Sequence, residues 1–386
     1  MKRRTAPAEA RTRPSRRYAR RITEGPTPAD QRPPELPYPD GWFAVAFAAE
    51  LTAGTVLTRP LQGEDVVLYR LRDGGVRAVR PYCPHLGAHL GLAGLEGDDL
   101  VCAFHRFAFG PDGSCVRTAY GTPPRSAALT RVHVREANDM VLVWRHQGGR
   151  PPLWEPPAWH ALGDTPPRTV TWEMSGHSQD VIENVVDLGH FSELHGWGEF
   201  EVSAPFVFGE RTFQVSMRHA ERFPLLGETT LEVEVEACGL SRLHICTAIP
   251  RLGLRTCTLL CPTMITPNRL QLRHVSRIAL SEPGWLPGPS ARWLSRIAAC
   301  LLSGPTLHAG HAFLAADFPI WDTKRYQSPP RLVQGDGPIG PYRHWARRFY
   351  SSPQAGPAAP RIGPARTGDA DVEAREEGDR AETPLR

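Results

Sequence analysis

The chain has 386 residues, a formal net charge of +4, 41 % hydrophobic residues and 22 % charged residues. This length and composition are those of a soluble globular protein with room for two domains. The sequence has no uninterrupted run of about eighteen apolar residues, which argues against a membrane span. We therefore expect a soluble, cytoplasmic protein.

The basic charge is concentrated at the beginning of the chain. Residues 1–32 hold ten Lys or Arg against three Asp or Glu and few apolar residues, which predicts a disordered arm. The arm has no apolar segment of the kind found in a secretory signal. Such an arm can bind nucleic acid or a membrane surface, but a solvated terminus is the commoner case, so no nucleic-acid partner is expected. Residues 357–386 predict a second disordered tail.

Short β-type runs predict a small antiparallel β domain over residues 33–157. The first run covers residues 41–47. Two pairs of further runs are separated by turn residues, at Asp73 to Gly75 and at Asn138 to Asp139, which indicates two β-hairpins. The Pro-rich segment from Trp154 to Pro157 predicts a linker to a second domain.

Two Cys/His pairs lie within this β domain, and both pairs have metal-binding residue types. Cys83 with His85 and Cys102 with His105 are separated by sixteen residues. A Rieske [2Fe–2S] centre needs two Cys on one iron and two His on the other. A Cys₂His₂ set also suits tetrahedral zinc, although zinc sites usually place both cysteines on one loop. The pattern favours the Rieske centre, with zinc as the alternative.

A second candidate metal site lies in the segment 184–195. If this segment is helical, Asp187 and His190 share a face. His195 is five positions beyond His190 and reaches the same ion only if the helix widens or ends there, and Gly196 is a common type of helix terminator. The facial triad of non-haem iron enzymes still requires one more carboxylate ligand. A buried helix with two hydrogen-bonded histidines is the alternative interpretation.

The region 165–350 predicts a second, larger domain. Residues 231–236 alternate apolar and acidic side chains, and similar runs follow at 242–248, 254–261 and 269–279, which predicts a twisted antiparallel sheet flanked by helices. No disulfide framework is expected in this chain. The cysteines of this region are expected to pack as small hydrophobic residues: Cys238, Cys246, Cys257, Cys261 and Cys300.

The two Cys/His loops resemble the cluster loops of Rieske non-haem iron oxygenases. Respiratory Rieske proteins usually carry an additional Cys in each loop, whereas this chain has Ala88 in the first loop and none between Arg106 and Ala108 in the second. The sequence departs from the usual pattern at Leu86, where many ring hydroxylases have Arg, and at Ala103, where Pro is common. Neither departure removes a ligand.

Three C-terminal segments indicate which members of this family the chain resembles most. Residues 320–326, 335–339 and 342–350 are similar to a signature shared by cholesterol 7-desaturases and the oxygenase component of 3-ketosteroid 9α-hydroxylases. The resemblance covers residues 40–350 and implies an α+β fold. It implies an N-terminal all-β Rieske domain and a C-terminal helix-grip-like catalytic domain with an antiparallel sheet and flanking helices.

The resemblance also implies roles for individual residues. The third iron ligand of the family lies in a C-terminal Asp-x-x-Ile-Trp segment, a place that Asp317 occupies at the end of a helix predicted from about Pro305; Asp322 is the alternative. Asp187 is implied as the bridge between an iron-bound His and a Rieske His, and Asn184 as a residue close to the iron. The implied ligands are Cys83, His85, Cys102 and His105 for the cluster, and His190, His195 and Asp317 for Fe(II).

The expected activity is the oxidation of a sterol or steroid by dioxygen, with a cholesterol 7-desaturase-like reaction favoured. Electrons are expected from NAD(P)H through a separate ferredoxin or flavin reductase. The resemblance further implies a homotrimer, because in the family the electron crosses between neighbouring subunits. A hydroxylase of a ketosteroid or other polycyclic substrate is one alternative. A Rieske electron carrier without catalysis is the other.

Overall fold

The structure, a computed structural model, describes residues 35–158, 165–198, 200–223, 227–282 and 288–351. The predicted basic arm at 1–32 and the predicted tail at 357–386 lie outside these residues.

The N-terminal part consists of three small antiparallel sheets, with strand orders β1-β10-β9, β2-β3-β4 and β5-β6-β7-β8. Its strands are β1 Gly41–Phe47, β2 Val56–Leu61, β3 Glu64–Arg70, β4 Val76–Val79, β5 Gly94–Glu96, β6 Asp99–Val101, β7 Ala108–Phe109, β8 Cys115–Arg117, β9 Val134–Ala137 and β10 Met140–Arg145. Both predicted hairpins are present. Asn138 and Asp139, with φ of 54° and 64°, form the two-residue turn between β9 and β10, because a tight hairpin turn needs left-handed backbone at both positions.

The C-terminal part contains one seven-stranded antiparallel sheet with the order β11-β17-β16-β15-β14-β13-β12. The predicted alternation is confirmed in β14, where Val233 and Val235 are buried and Glu234 is exposed. The predicted α+β class is therefore confirmed. The strands are β11 Arg168–Ser175, β12 Phe200–Phe208, β13 Thr212–Phe223, β14 Gly227–Cys238, β15 Arg242–Ile249, β16 Leu254–Thr266 and β17 Arg269–Leu280.

The helices of this part differ from the sequence-based expectation. They are α1 Ser178–Glu183, α2 Leu188–Glu193, α3 Pro289–Leu314, α4 Phe318–Thr323 and α5 Ile339–Ala346. The single helix predicted over 184–195 is wrong, because the chain breaks between α1 and α2 and Asp187 is extended, with φ −81° and ψ 91°. The helix predicted from about Pro305 is the second half of α3. Proline is common in the first turn of a helix, but here it lies in the interior.

Helix α3 also changes the expectation that no segment could span a membrane. By length and composition alone, the stretch 289–323 is long and apolar enough to do so. From the sequence, the part around Trp293 to Leu302 is the best candidate for a span, but it is short and contains Arg296, so it was set aside.

The two parts of the chain share a buried interface. Trp42 and Ala44 of β1 pack with Cys261 of β16, and the Ala44 carbonyl accepts hydrogen bonds from Thr263 Oγ1 at 2.7 Å and from Arg273 Nη1 at 2.9 Å. Because edge carbonyls of the first part are satisfied by side chains of the second, the two parts are held in a defined orientation.

The expectation for the cysteines is wrong for one pair. Cys246 of β15 and Cys257 of β16 lie directly opposite each other and form a disulfide. Only the strand register brings these residues together, so their sequence spacing gave no signal. Cys238 and Cys261 are buried free thiols as expected, and burial raises the pKa of each to about 11, which keeps them protonated and unreactive.

Candidate metal centres

The two predicted Cys/His pairs come together at one end of the sheet β5-β6-β7-β8. The thiols of Cys83 and Cys102 are buried. The rings of His85 and His105 lie 4.8 Å apart between centroids. They are half-buried and thus more exposed than the thiols. Burial and the adjacent Cys102 thiol raise the pKa of Cys83 to about 11 in the absence of a metal. A bound cation reverses this effect, because metal coordination deprotonates a thiol.

The two loops have the same backbone geometry. In each, the cysteine N–H donates to the carbonyl five positions on, at 2.8 and 2.9 Å, and the cysteine carbonyl accepts the N–H four positions on. That fourth position is left-handed in both loops, with φ of 75° at Gly87 and 59° at Arg106. Glycine adopts this conformation without strain, whereas arginine adopts it at a cost that the closed loop must offset. Two matched loops, each with one thiol and one imidazole, fit the donor set of a [2Fe–2S] Rieske cluster.

Exposed apolar side chains surround the two imidazoles. Tyr82, Leu86, Phe104 and Tyr120 are all exposed, and we refer to them as the cluster rim. Large apolar side chains gathered around a functional site are typical of a contact surface.

A second group of metal-binding side chains lies in the C-terminal part. Ligand atoms of His190, His195 and Asp317 all lie within 4.8 Å of one another. The side chains of His195 and Asp317 are 1 % and 4 % exposed, and His195 Nε2 lies 3.4 Å from Asp317 Oδ2. Two imidazoles and a carboxylate at this separation are the donor set of a non-haem iron site.

The end of α2 positions the two histidines. The helix ends at Glu193, and Gly196, with φ of 71°, turns the chain. The N–H of His195 donates to the carbonyl of His190 at 3.3 Å, which brings the two residues onto one side of the last turn. The sequence required the helix to end near His195 if both histidines were to reach one ion, and the structure fulfils this condition.

The imidazole of His190 is held with Nε2 toward the other two ligands. Its Nδ1 donates to the backbone carbonyl of Asp187. Burial, which outweighs the nearby carboxylates, lowers the pKa of His190 and keeps the ring neutral. With the proton on Nδ1, the lone pair of Nε2 is available to a metal ion. Asn184 Nδ2 lies 3.1 Å from this Nε2 and donates to Asp317 Oδ1 at 2.9 Å, so Asn184 touches two of the three side chains.

Asp317, and not Asp322, lies with the two histidines. Asp317 is the residue immediately before α4 and is buried. The Oδ1 of Asp322 instead accepts the N–H of Ser175 at 2.9 Å. The structure thus brings together the three side chains for which the iron-ligand role was predicted.

Asp187 occupies the N-cap position of α2, but its carboxylate makes no capping hydrogen bond. This is unusual, because an N-cap Asp normally accepts an N–H of the first helical turn. Within the described residues of this one chain, the Asp187 side chain does not form the expected bridge between an iron-binding His and a Rieske His. Its backbone carbonyl contacts His190 instead.

A Gly-rich segment supports the break between α1 and α2, a role that the sequence did not suggest. The carbonyl of Asp336 accepts the N–H of Leu188 at 3.2 Å. Gly337, with φ of 81°, lies so close to the carbonyl of Val186 that a Cβ would collide with it. This contact explains why a glycine stands at position 337.

A buried ion cluster lies directly before Asn184 and was also missed. Glu183, at the end of α1, accepts two hydrogen bonds from Arg343, at 2.8 and 2.9 Å, and lies 3.3 Å from Lys324 Nζ. Lys324 also lies 3.1 Å from Asp180. Burial alone would lower the pKa of both cations, but the two carboxylates outweigh it and the pKa of each is raised. The only sequence signal was that Lys324 and Arg343 belong to the C-terminal signature.

A histidine pair forms a third feature that the sequence did not suggest. His274 of β17 is buried, and its Nδ1 lies 3.0 Å from His311 Nε2 of α3. Trp172 of β11 contacts both rings, stacking on His274 at a centroid distance of 5.8 Å. Burial, with a smaller contribution from His311, lowers the pKa of His274 to about 3.

Replacing His274 by Gln is expected to flatten the dependence of stability on pH. His274 is neutral in the folded chain and has an ordinary pKa near 6.5 when unfolded, so the unfolded chain binds an extra proton below that pH. The contribution of neutral, buried His274 to the free energy of unfolding is complete above about pH 6.5. It is lost at about 1.4 kcal/mol per pH unit as the pH falls toward 3. Between pH 7 and 5 the variant should lose about 2 kcal/mol less unfolding free energy than the wild type.

Chemical unfolding at pH 7 and pH 5 measures this difference. The matched control is His133→Gln, which replaces an exposed histidine of the N-terminal part of the chain. Equal pH dependence in wild type and His274→Gln would contradict the neutral, buried state of His274.

The residues at both sites fit the metal groups that the sequence suggests. His195 Nε2 is a buried nitrogen with no hydrogen-bond partner among the described residues, and such an atom is costly unless something binds it. The Cys₂His₂ loops supply the two thiolates and two imidazoles of a Rieske centre.

Comparisons with known proteins match both parts of the chain. Residues 41–150 match the Rieske [2Fe-2S] domain, and residues 143–350 match the 3-ketosteroid 9α-hydroxylase C-terminal domain. The chain is 29 % identical to the cholesterol 7-desaturase of Bombyx mori, covering 82 % of this chain and 70 % of that protein. It is 25 % identical to a probable 3-ketosteroid-9-alpha-monooxygenase oxygenase component of Rhodococcus rhodochrous, covering 82 % and 81 %.

Solved structures share the fold. Dicamba monooxygenase bound to dicamba superposes with a TM-score of 0.56 at 18 % identity, covering 81 % of this chain and 98 % of that one. NdmA of Pseudomonas putida gives a TM-score of 0.59 at 17 % identity, covering 79 % and 88 %. Together with the match over more than half of the chain, these findings show that the chain belongs to the Rieske non-haem iron oxygenases that carry the 3-ketosteroid 9α-hydroxylase C-terminal domain.

Proposed function

We propose that this oxygenase oxidises a sterol or steroid, with a cholesterol 7-desaturase-like reaction as the leading assignment. The observation that carries the proposal is the group of His190, His195 and Asp317, which has aromatic side chains packed against its imidazoles. The ring of Phe313 stacks on His195 at a centroid distance of 3.7 Å. Relatives named as cholesterol 7-desaturases, from several animals, supply the substrate class.

Seven residues are proposed to hold the cofactors. When bound, the cluster supplies single electrons and the Fe(II) activates dioxygen for attack on a C–H bond. Cys83 and Cys102 would hold one iron of the cluster, and His85 and His105 the other. The mononuclear iron would be held by His190, His195 and Asp317.

The remaining residues of the site orient these ligands and exclude water. Asn184 fixes the relative position of His190 and Asp317 through its amide. The carbonyl of Asp187 keeps the proton of His190 on Nδ1, which leaves Nε2 for the metal. Phe313 covers His195, so the reacting C–H bond of an apolar substrate would meet the site away from bulk water.

A ketosteroid hydroxylase is the second candidate, and one observation favours it. The C-terminal family is named for the 3-ketosteroid 9α-hydroxylase, and the Rhodococcus rhodochrous relative is matched over 81 % of its length. The same ligands serve either reaction. An electron carrier without catalysis is disfavoured, since such a protein has no need for the buried His190, His195 and Asp317 group.

Electrons are proposed to arrive from NAD(P)H through a separate ferredoxin or flavin reductase, in the cytoplasm. A homotrimer is proposed to complete the path, with Asp187 of one subunit facing a Rieske His of the next. Two features support this arrangement. The cluster rim is exposed, and the Asp187 carboxylate makes no capping bond in its own chain.

The product mass decides between the candidates. The reconstituted protein would be incubated with cholesterol, NADH and a ferredoxin with its reductase. A product lighter by two hydrogens supports the desaturase assignment. A product heavier by one oxygen makes the protein a hydroxylase, and a ketosteroid is then the next substrate. Unchanged cholesterol, with an active donor chain, removes cholesterol as substrate and leaves the oxygenase family assignment.

Replacing Asp187 by Ala is expected to stop turnover while both metals stay bound. Loss of an outer-shell partner of a metal ligand typically costs about 10–100-fold in activity or metal affinity, and here the cost should fall on electron transfer. The ligand contact from the backbone carbonyl of Asp187 survives the substitution. Stopped-flow reoxidation of the reduced cluster, together with iron and sulfide analysis, measures this effect.

The control for this variant is Glu193→Ala, which removes an exposed carboxylate from the same helix. It should reoxidise at the wild-type rate. Normal turnover in Asp187→Ala would refute the bridging role, and loss of mononuclear iron would instead make Asp187 a structural residue of the site.

A further inference from the structure

The longest helix of the described chain presents its large apolar side chains to solvent. In α3, Trp293 and Leu301 are 67 % and 74 % exposed, and Leu294 and Ile297 are exposed beside them. At 100° per residue these four side chains form a single stripe along the helix, which we refer to as the α3 stripe. A contiguous apolar surface of this kind on a folded domain marks a contact site.

Over residues 291–303, the side of α3 that packs against the sheet consists of small residues. Ala291, Ser295, Ala299 and Ser303, spaced four apart, are buried. Arg168 of β11 lies 3.1 Å from the Ser303 hydroxyl, which ties the helix to the sheet. An ordinary surface helix places its large apolar residues against the core and its polar residues outward. In α3 the large residues point outward, so packing against the described part of the chain does not account for them.

The charge along α3 is positive only. The helix contains no Asp or Glu, and the exposed Arg292 and Arg296 lie one turn apart, with Arg296 the nearer of the two to the α3 stripe. Arg292 lies 3.4 Å from Glu282 in an exposed pair, and such pairs contribute little. Arginine and tryptophan around an apolar stripe are typical of a helix that lies in the surface of an anionic bilayer.

We propose that α3 lies flat in the head-group region of an anionic lipid bilayer and buries the α3 stripe there. The helix does not cross the bilayer, although the stretch 289–323 has the length and composition for it. Crossing would strip its serine-lined side from the sheet and carry Arg292 and Arg296 into hydrocarbon, which is costly. It would also remove Asp317, three residues beyond the helix, from His195.

The same helix connects the α3 stripe to the mononuclear site. Phe313, in the last turn of α3, is partly exposed on one side and stacks on His195 on the other. Phe313 lies between the exposed surface of α3 and His195, so we infer that substrate from the bilayer enters past this ring. This second step rests on the proposed function, since a sterol dissolves in a bilayer and hardly at all in water.

Vesicle sedimentation of the full-length holoprotein tests the docking. Wild type should pellet with vesicles that contain phosphatidylglycerol, less with phosphatidylcholine alone, and less at high salt. The double variant Trp293→Ser/Leu301→Ser should bind at least about tenfold more weakly, because two large side chains no longer leave water. The matched control Val207→Ser/Val333→Ser removes two exposed apolar residues elsewhere and should bind like wild type.

Turnover supplies a second, separate measurement. With cholesterol dispersed in detergent, the Trp293→Ser/Leu301→Ser variant should match wild type in rate, iron content and cluster absorbance. With cholesterol in vesicles, only this variant should slow. If wild type turns over no sterol even in detergent, the proposed function fails, while sedimentation still decides the docking.

Two results would overturn the membrane assignment. One is equal vesicle binding by wild type and the Trp293→Ser/Leu301→Ser variant. The other is a wild type that ignores vesicles but forms an oligomer that this variant dissociates, which would make the α3 stripe a contact between copies of the chain.

Discussion

Asp317→Ala should yield a protein that keeps its Rieske cluster but contains no mononuclear iron and no activity. The carboxylate is the anionic member of the group formed with His190 and His195, is 4 % exposed, and lies within 4.8 Å of both histidine ligand atoms. Two imidazoles alone lack the negative charge and the third donor of a facial triad. Iron binding should weaken by more than roughly the hundredfold that loss of an outer-shell contact costs.

Metal analysis and optical spectroscopy separate the two cofactors in this variant. Iron should fall by one atom per chain, whereas acid-labile sulfide and the cluster absorbance should not change. The matched control is Asp322→Asn, five residues along, whose side-chain oxygen can still accept the N–H of Ser175. If Asp322→Asn loses iron and Asp317→Ala keeps it, the ligand assignment is reversed.

Glu183→Gln should destabilise the fold by about 3–5 kcal/mol, the usual cost of breaking one partner out of a buried ion pair. The carboxylate that accepts two hydrogen bonds from Arg343 would become a neutral amide. Of the two carboxylates beside Lys324, the one that stays charged would be Asp180. Both cations are held in the charged form, with raised pKa, by these carboxylates, so neither can easily neutralise. The loss of this support should also displace the adjacent Asn184, which contacts His190 and Asp317, and so weaken iron retention.

Urea unfolding followed by circular dichroism measures the stability loss in Glu183→Gln. Glu234→Gln is the control, because Glu234 pairs with Arg255 on the surface at 3.2 Å and such pairs contribute little. A loss below about 1 kcal/mol in Glu183→Gln would show that the buried cluster contributes no more than a surface pair does.

The Rieske loops are the part of the molecule that the sequence predicts best. Their four ligands lie within a short stretch, and the flanking strands are joined by turns whose residue types carry a local signal. Gly87 supplies one of the two left-handed positions, and its equivalent in the other loop is Arg106. Local geometry follows from local sequence here because no distant residue is needed to close either loop.

The catalytic site was predicted less completely, because its geometry depends on distant contacts. His190 and His195 were found from their spacing, but Asp317 was found only through the resemblance, and its role stays a prediction. The break between α1 and α2 was missed since it is stabilised by Gly337 from far along the chain. The Glu183 cluster, the disulfide and the His274 pair were missed for the same reason.

The separation of the ligands along the chain has a consequence for biosynthesis. The proposed cluster ligands span 22 positions, from Cys83 to His105, whereas the proposed mononuclear ligands span 127, from His190 to Asp317. Arg343, which completes the support of Glu183, follows later still. A nascent chain therefore has its cluster loops outside the ribosome long before its iron pocket can close. Cluster insertion can begin during translation, but iron loading must wait until α5, the helix that carries Arg343, has been made.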